Sequence, residues 1–303
     1  MSIIHYVNGK TKLLGVIGRP LSHSISPKLH NTLSDYLGID AVYVPLAVDE
    51  GNLKNAVNGL KALNFAGFNI TIPYKSDMVL YVDEISEEAG LIGAVNTVKI
   101  INNKLYGYNT DVFGFVNSFK EEAKTDFKNK KVVMIGAGGA AKAIALGVAC
   151  DGASKIIILN RSLNNAAQIA EIISSNISPY KEYPQCIECY ELNDNEAIEI
   201  LKQADIVINT TPLGMYPDVN RMPLTNGMEF SSNQIIYDVI YNPKKTRFMD
   251  QAEKKGCKII NGLGMLIYQG IKAYEIWMDL VVPDEIVKKI FSEFQKYLSK
   301  KVL

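Results

Sequence analysis

Lys131-Val132-Val133-Met134-Ile135-Gly136-Ala137-Gly138-Gly139-Ala140-Ala141-Lys142-Ala143 decides the fold. A β-branched apolar run stops at glycines, and a small-residue segment with helical character follows. The stretch therefore reads strand, tight turn, helix. Gly136 permits the turn. Gly138 lets the backbone approach a pyrophosphate, whose charge sits on free N–H groups at the helix N-terminus. Ala141, small like the usual third glycine, lets helix and strand pack closely. The competing explanation is a glycine-rich packing turn in another kind of α/β protein. The flanking strand and helix favour a dinucleotide.

The next strand sharpens this reading. Lys155-Ile156-Ile157-Ile158-Leu159 ends in Asn160-Arg161-Ser162. An NAD-binding domain usually places Asp or Glu there to accept hydrogen bonds from the ribose 2′-hydroxyl, and that carboxylate repels a 2′-phosphate. Here the position is neutral with an arginine beside it, and a guanidinium pairs with phosphate and stacks on adenine. NADP is favoured over NAD. The alternative for Arg161 is a solvated arginine at a strand end.

Working outward, the 303 residues suffice for one large core or two ordinary ones. With 32 basic and 32 acidic residues and no basic block, nucleic acid is excluded as an expected partner. Met1 to Lys10 has no charged start followed by a long apolar core and reads as no signal peptide. The apolar run from Val132 to Cys150 contains Lys142 and the glycine turn, so it reads as a buried strand plus helix rather than a membrane span. A cytoplasmic enzyme is expected. Cys186 and Cys189 are spaced like half of a zinc site, but no second pair exists, and the Tyr/Ile/Glu setting reads as a strand. No metal is expected, and both thiols, like Cys150 and Cys257, read as incidental.

Before the glycine turn the pattern alternates. Strands are expected at 12–18, 41–48 and 65–72, helices at 27–37 and 50–63, and a hairpin over 94–101 and 104–108 across Asn102-Asn103. This is an α/β domain with a mixed sheet, followed by a helix over 111–123. Six strands near Val132, Ile157, Cys189, Ile206, Ile236 and Ile259 then match a doubly wound, Rossmann-type sheet. Helices over 262–279 and 283–298 close the chain and are expected to return to the first domain. The expected division is 1–111, completed by 263–303, and 112–262.

Polar clusters sit at the strand ends of the first domain. Gly18-Arg19-Pro20-Leu21-Ser22-His23-Ser24-Ile25-Ser26-Pro27 follows the first strand. Ser26 is placed as a helix N-cap with Pro27 at the first helical position, and Ser24 and Ser26 put two hydroxyls at the positive end of a helix, which suits a small carboxylate. His23 reads as a buried, hydrogen-bonded histidine ahead of an acid or base. Asn69-Ile70-Thr71-Ile72-Pro73-Tyr74-Lys75 ends the third strand, with Asn69 and Thr71 on one side. Gly93-Ala94-Val95-Asn96-Thr97 and Gly107-Tyr108-Asn109-Thr110-Asp111 are two more such clusters. Together these suit a polyhydroxylated ligand. Singly they read as turn asparagines, a capping aspartate and a surface lysine.

At these residues the chain resembles the shikimate dehydrogenase family over almost its whole length. Further motifs follow in family order: Asn209-Thr210-Thr211-Pro212-Leu213-Gly214-Met215, Asp238-Val239-Ile240-Tyr241-Asn242-Pro243, and Asn261-Gly262-Leu263-Gly264-Met265-Leu266-Ile267-Tyr268-Gln269. The resemblance implies reversible reduction of 3-dehydroshikimate to shikimate with NADPH, in aromatic amino-acid biosynthesis. It implies that Ser24 and Ser26 hold the substrate carboxylate. Asn69, Thr71, Asn96, Asp111 and Gln269 would hold ring hydroxyls, with Tyr241 nearby, and Lys75 and Asp111 would be the catalytic pair. Gly136, Ala137, Gly138, Gly139, Ala140, Asn160, Arg161, Ser162, Thr210, Gly262 and Met265 are implied at the cofactor. Ser24 and Thr71 match shikimate-directed rather than quinate-directed members. NADP-preferring members often carry a second basic residue after the Asn-Arg-Ser motif, where this chain has Leu163-Asn164-Asn165, so NAD stands as a weaker alternative cofactor. The rival readings are an NAD-using quinate/shikimate dehydrogenase, an aminoshikimate-pathway paralogue, and a nucleotide-binding regulatory protein. A small-molecule substrate, no membrane partner, and a monomer or homodimer are expected.

Overall fold

The computed structural model describes residues 7–177, 186–192, 195–223 and 229–301. Met1 to Tyr6, within the stretch read as no signal peptide, lies outside them. The chain divides into two compact units, one of Met1–Thr110 with Gln269–Glu293 and one of Asp111–Tyr268 with Phe294–Leu303.

The first unit is built on a six-stranded mixed sheet of order β2-β1-β3-β5-β6-β4. Its strands are β1 (Lys12–Gly18), β2 (Ala41–Ala47), β3 (Gly67–Ile70), β4 (Glu84–Ile85), β5 (Thr97–Ile101) and β6 (Lys104–Tyr108). β1 lies between two parallel neighbours, and its apolar residues Leu14 and Ile17 are fully buried. Such a strand, covered on both faces, reads as a continuous hydrophobic run rather than an alternation. Asn102 and Asn103, with φ of 50° and 63°, give the β5–β6 hairpin the two left-handed residues of a type I′ turn, whose twist matches its strands. The helices are α1 (Ser26–Leu37), α2 (Leu53–Ala62) and α3 (Glu87–Ile92). Asn31 of α1 grips Tyr43 of β2 at both backbone groups, donating to its carbonyl at 3.0 Å and accepting from its N–H at 2.8 Å.

Several expected bounds move. Asp49 to Asn52 forms a turn with Gly51 at φ 80°, so α2 starts at Leu53 rather than residue 50. β3 stops at Ile70 because Tyr74 N–H bonds back to the Thr71 carbonyl, turning the chain at Pro73. The sequence reading passed over β4, α3 and the 3-10 turn Asp77–Leu80. α3 nevertheless carries ordinary signals: Ser86 accepts from Ala89 N–H, Glu87 and Glu88 fill the first turn, and Gly93 closes it at φ 67°.

The second unit contains β7 (Lys131–Ile135), β8 (Lys155–Asn160), β9 (Cys186–Glu191), β10 (Ile206–Asn209), β11 (Ile235–Asp238) and β12 (Lys258–Asn261). All pair in parallel, in the order β12-β11-β10-β7-β8-β9. Two runs of three strands wind outward from the centre, and the crevice of such a sheet opens where the order reverses, between β7 and β10, at the strands' carboxyl ends. The helices are α4 (Asp111–Ala123), α5 (Gly139–Cys150), α6 (Leu163–Ile177), α7 (Asn195–Lys202) and α8 (Arg247–Lys254), followed by α9 (Leu263–Met278) and α10 (Asp284–Lys301). From Gln269 onward α9 belongs to the first unit. There Trp277 lies where any side chain on Gly67 would collide with its indole, and its Nε1 donates to the Val98 carbonyl at 2.8 Å.

Candidate functional site

The glycine turn has the geometry of a phosphate cradle. Gly136 leaves β7 at φ 106°, and a Cβ there would lie 2.7 Å from Thr210 Oγ1 and 2.8 Å from Thr211 Cγ2, so only glycine fits. Gly138 caps α5 in extended conformation, with φ −88° and ψ −168°. A Cβ on Gly138 or Gly139 would meet nothing within 4 Å. Their backbone is open to a ligand at a helix N-terminus that carries no acidic residue in its first turn. The residues present fit a dinucleotide pyrophosphate. At the end of β8 the Asn160 amide donates to the Ser162 carbonyl at 2.9 Å, closing the turn that leaves Arg161 exposed ahead of α6.

Across β10 and β11, Thr210 donates from both N–H and Oγ1 to the Ile135 carbonyl, each at 2.9 Å. Gly262 N–H donates to the Ile240 carbonyl at 3.1 Å, and a side chain on Gly262 would collide with the Val239 carbonyl. Tyr241 is half-buried, and burial pushes its phenol above the ordinary value, keeping the hydroxyl protonated. Met265 is half-buried on α9.

In the first unit the clusters form one buried network. Asn69 donates from Nδ2 to the Asn96 carbonyl at 3.1 Å and to Thr97 Oγ1 at 3.0 Å, and its Oδ1 accepts from the Tyr43 hydroxyl at 2.7 Å. The Asn96 carbonyl can only accept, which fixes the amide's orientation. Asn96 Oδ1 accepts from Thr97 Oγ1 and Thr110 N–H, both at 2.9 Å, while its Nδ2 donates to Thr110 Oγ1 at 3.1 Å. Asn69, Asn96, Thr97 and Thr110 are all buried. Thr71 packs against Gly18 at the end of β1, where any side chain on the glycine would collide with it. Lys75 is half-buried, and its carbonyl accepts from Val95 N–H at 2.8 Å, next to Asn96.

Two expectations fail here. Ser26 is the first helical residue rather than the cap. The cap is Ile25, whose hydrocarbon side chain cannot accept a hydrogen bond, and Ser24 Oγ accepts the Ser26 N–H at 3.3 Å instead. His23 is exposed rather than buried. The buried histidine of this segment is His30, stacked on Tyr43 at 4.3 Å, whose pKa burial lowers to about 3.

Three stretches of the chain match known families. Residues 16–98 match the shikimate dehydrogenase substrate binding domain, 118–216 shikimate / quinate 5-dehydrogenase, and 262–290 the shikimate 5'-dehydrogenase C-terminal domain. A relative from Alkaliphilus oremlandii, named shikimate dehydrogenase (NADP(+)), is 42% identical over 285 residues, which is 94% of this chain and 98% of that one. The chain belongs to the shikimate dehydrogenase family. A solved shikimate dehydrogenase in complex with NADP+ is 40% identical with a TM-score of 0.86, over 95% of this chain and 97% of its own. The Listeria monocytogenes shikimate 5-dehydrogenase, solved in complex with shikimate and NAD, is 37% identical with a TM-score of 0.85, over 95% of this chain and 99% of its own.

Of the shikimate dehydrogenase residues read from sequence, Ser24, Ser26, Asn69, Thr71, Lys75, Asn96 and Gln269 fall in the first unit, and Asp111 and Tyr241 in the second. Asp111 is buried and opens α4. Among the described residues no helix is long and apolar enough to cross a membrane, and no group of three or more metal-ligating side chains gathers. Cys186 and Cys189 lie three apart on β9, a spacing that turns their side chains to opposite faces. Sequence reasoning missed Tyr43, Thr97 and Thr110 as braces. The two threonines lie within clusters it singled out, whereas nothing local marks Tyr43.

Proposed function

We propose that the protein is an NADP-dependent shikimate dehydrogenase that interconverts 3-dehydroshikimate and shikimate, as a cytoplasmic monomer or homodimer. The observation that carries this reading is the buried lattice of Asn69, Asn96, Thr97 and Thr110. It holds Asn69 and Asn96 in fixed orientations, which supports their reading as hydroxyl-binding groups, and Lys75 and Asp111 follow these strands in sequence.

Ser24 and Ser26 hold the ring carboxylate from the start of α1, whose N-terminal dipole favours the negative charge. The Asn96 oxygen is committed to Thr97 and Thr110, so any bond from Asn96 to a ring hydroxyl is one donated by its Nδ2. Asn69 has both amide hydrogens committed; what it offers a ligand is Oδ1. Thr71 and Gln269 complete the contacts to the ring hydroxyls, with Tyr241 as a further substrate contact. Gly136 to Ala140 cradle the pyrophosphate, and Asn160, Arg161 and Ser162 take the adenosine 2′-phosphate. Thr210, Gly262 and Met265 flank the nicotinamide half. Bound NADPH supplies the hydride. Lys75 delivers a proton to the substrate oxygen during reduction and removes it during oxidation, and Asp111 orients Lys75 while accepting from a ring hydroxyl.

The test is the absorbance of reduced nicotinamide with shikimate or quinate, each with NADP+ or NAD+. Shikimate with NADP+ is expected to give the highest kcat/KM. Equal efficiency with quinate overturns the substrate assignment, and equal efficiency with NAD+ overturns the cofactor assignment.

A further inference from the structure

Asp238, the last residue of β11, is completely buried. Its Oδ1 accepts from Asn209 Nδ2 at 3.0 Å and from Ile240 N–H at 3.1 Å, and its Oδ2 accepts from Thr246 Oγ1 at 2.7 Å. These three donors are uncharged, and burial lifts the carboxyl pKa to about 6. A buried carboxylate held this way is costly to keep, so its geometry calls for an explanation.

The bonds lead to two turns. Asn209 Oδ1 accepts from Thr211 N–H at 3.0 Å and Thr211 Oγ1 at 2.7 Å, and its backbone carbonyl accepts from Val239 N–H at 3.1 Å. The Thr211 N–H can only donate, so the Asn209 amide has one possible orientation. Asn209 to Thr211 is the turn that presses on Gly136, with Thr211 N 3.3 Å from where a Cβ of that glycine would lie. The second bond from Oδ1 pins Ile240, whose carbonyl holds Gly262 N–H at 3.1 Å. A single carboxylate oxygen therefore fixes both the wall of the glycine turn and the segment that runs into Tyr241. Accepting three donors on two oxygens is within a carboxylate's capacity, whereas an amide must turn a donor toward one of them.

We infer that Asp238 is a positioning residue for the dinucleotide, setting the Asn209–Thr211 turn against Gly136 and the Val239–Tyr241 segment against Gly262. The inference rests on the proposed dehydrogenase function. It makes Asp238 a determinant of cofactor affinity rather than of the chemical step.

The test is calorimetric titration of the whole protein with NADP+, alongside steady-state kinetics and circular dichroism. Asp238→Ala is expected to raise Kd and KM for NADP+ about tenfold, with kcat at saturation within about threefold of wild type. Thr211→Val, at a partly exposed position, removes the hydroxyl's bond to Asn209 and the one it accepts from Leu213 N–H, and is expected to raise both roughly threefold. Asp238→Asn keeps an Oδ1 for Asn209 and Ile240 and is expected to stay within about threefold of wild type in affinity. Thr246→Val removes only the Oδ2 bond and the cap of α8; it is expected to lower Tm while Kd stays within about twofold. Unchanged NADP+ affinity in folded Asp238→Ala or Thr211→Val overturns the inference. So does an Asp238→Asn protein as weak as Asp238→Ala, or a Thr246→Val protein that loses affinity equally. If Asp238→Ala does not fold, Thr211→Val and Asp238→Asn decide. A wild-type protein that binds no NADP+ overturns both the function and this inference, whereas tight wild-type binding with indifferent variants overturns the role of Asp238 alone.

Discussion

Asn69 and Asn209 are the same residue type at the same kind of place, buried near the carboxyl end of a strand, yet they are held in opposite ways. Asn69 is locked by neutral groups: the Tyr43 phenol, the Asn96 carbonyl and the Thr97 hydroxyl. Behind it stands His30, kept neutral by burial. Asn209 is locked by the Asp238 carboxylate. The neutral lattice fixes hydrogen-bonding direction without adding a charge of its own, which supports the proposal that it reads ring hydroxyls. The charged knot holds two turns at once, at the cost of a buried charge. The two buried groups therefore answer pH with opposite signs. Unfolded Asp238 would titrate near 3.8 and folded Asp238 near 6, so its neutral form favours folding and its contribution to stability grows as pH falls through 6 toward 3.8. His30 works the other way.

The largest effect is expected at Lys75, the proposed proton donor. Removing a positioned proton donor costs about 10²–10⁴ in rate, and a group used mainly in the transition state lowers kcat more than it raises KM. Lys75→Ala is expected to depress kcat in both directions by that order with a smaller change in shikimate KM. A folded variant with near-normal kcat would mean that the proton moves through another residue.

Next in size is the contrast itself. Asn69→Ala removes hydrogen bonds among neutral groups and is expected to cost about 1–2 kcal/mol of stability. Asn209→Ala removes one to a buried carboxylate, expected at about 3 kcal/mol. With one donor gone, the Asp238 titration should also move above 6, because that hydrogen bond favours the charged form. Urea unfolding from pH 5 to pH 8 measures both; equal losses with parallel pH curves would erase the distinction between the two knots.

Smaller again is Arg161, which lies outside both knots on an exposed strand end. Arg161→Ala is expected to raise KM for NADP+ about tenfold, the scale of one charge-assisted phosphate contact, and to leave KM for NAD+ nearly unchanged. Equal losses for both cofactors would remove the 2′-phosphate role.

The contrast between the knots also marks what sequence could disclose. The six strands of the second unit, the bounds of α4 and the Asn102-Asn103 hairpin were legible because each depends on local periodicity and turn chemistry. The pairs Tyr43–Asn69 and Asn209–Asp238 lie 26 and 29 residues apart, and only strand register brings them together. Asp238 appears in a motif that sequence reading quoted without giving it work, because spacing does not reveal that a carboxylate is buried. Ser26 illustrates the reverse: Ser-Pro spelled a cap, yet the helix begins one residue earlier and Ser24 takes the N–H.

The smallest expected effect isolates His30. An unfolded histidine titrates near 6.5, while burial holds folded His30 at about 3, with the neighbouring Asn69 opposing that shift. The unfolded chain therefore binds a proton between those values that the folded chain does not. His30 supports folding fully above 6.5, and that support drains away as pH falls toward 3. Between pH 7 and pH 6 the loss is only about 0.7 kcal/mol. Wild type alone would not show it, because Asp238 gains over much the same interval. His30→Phe keeps a ring against Tyr43 and Trp277 and removes the titration. Asp238 and every other group common to both proteins cancel in the difference. The unfolding free energy of wild type minus that of His30→Phe is expected to fall by this amount from pH 7 to pH 6, and further by pH 5. Parallel curves over that range would mean that His30 titrates alike in both states, and the neutral lattice around Asn69 would then contain a charge after all.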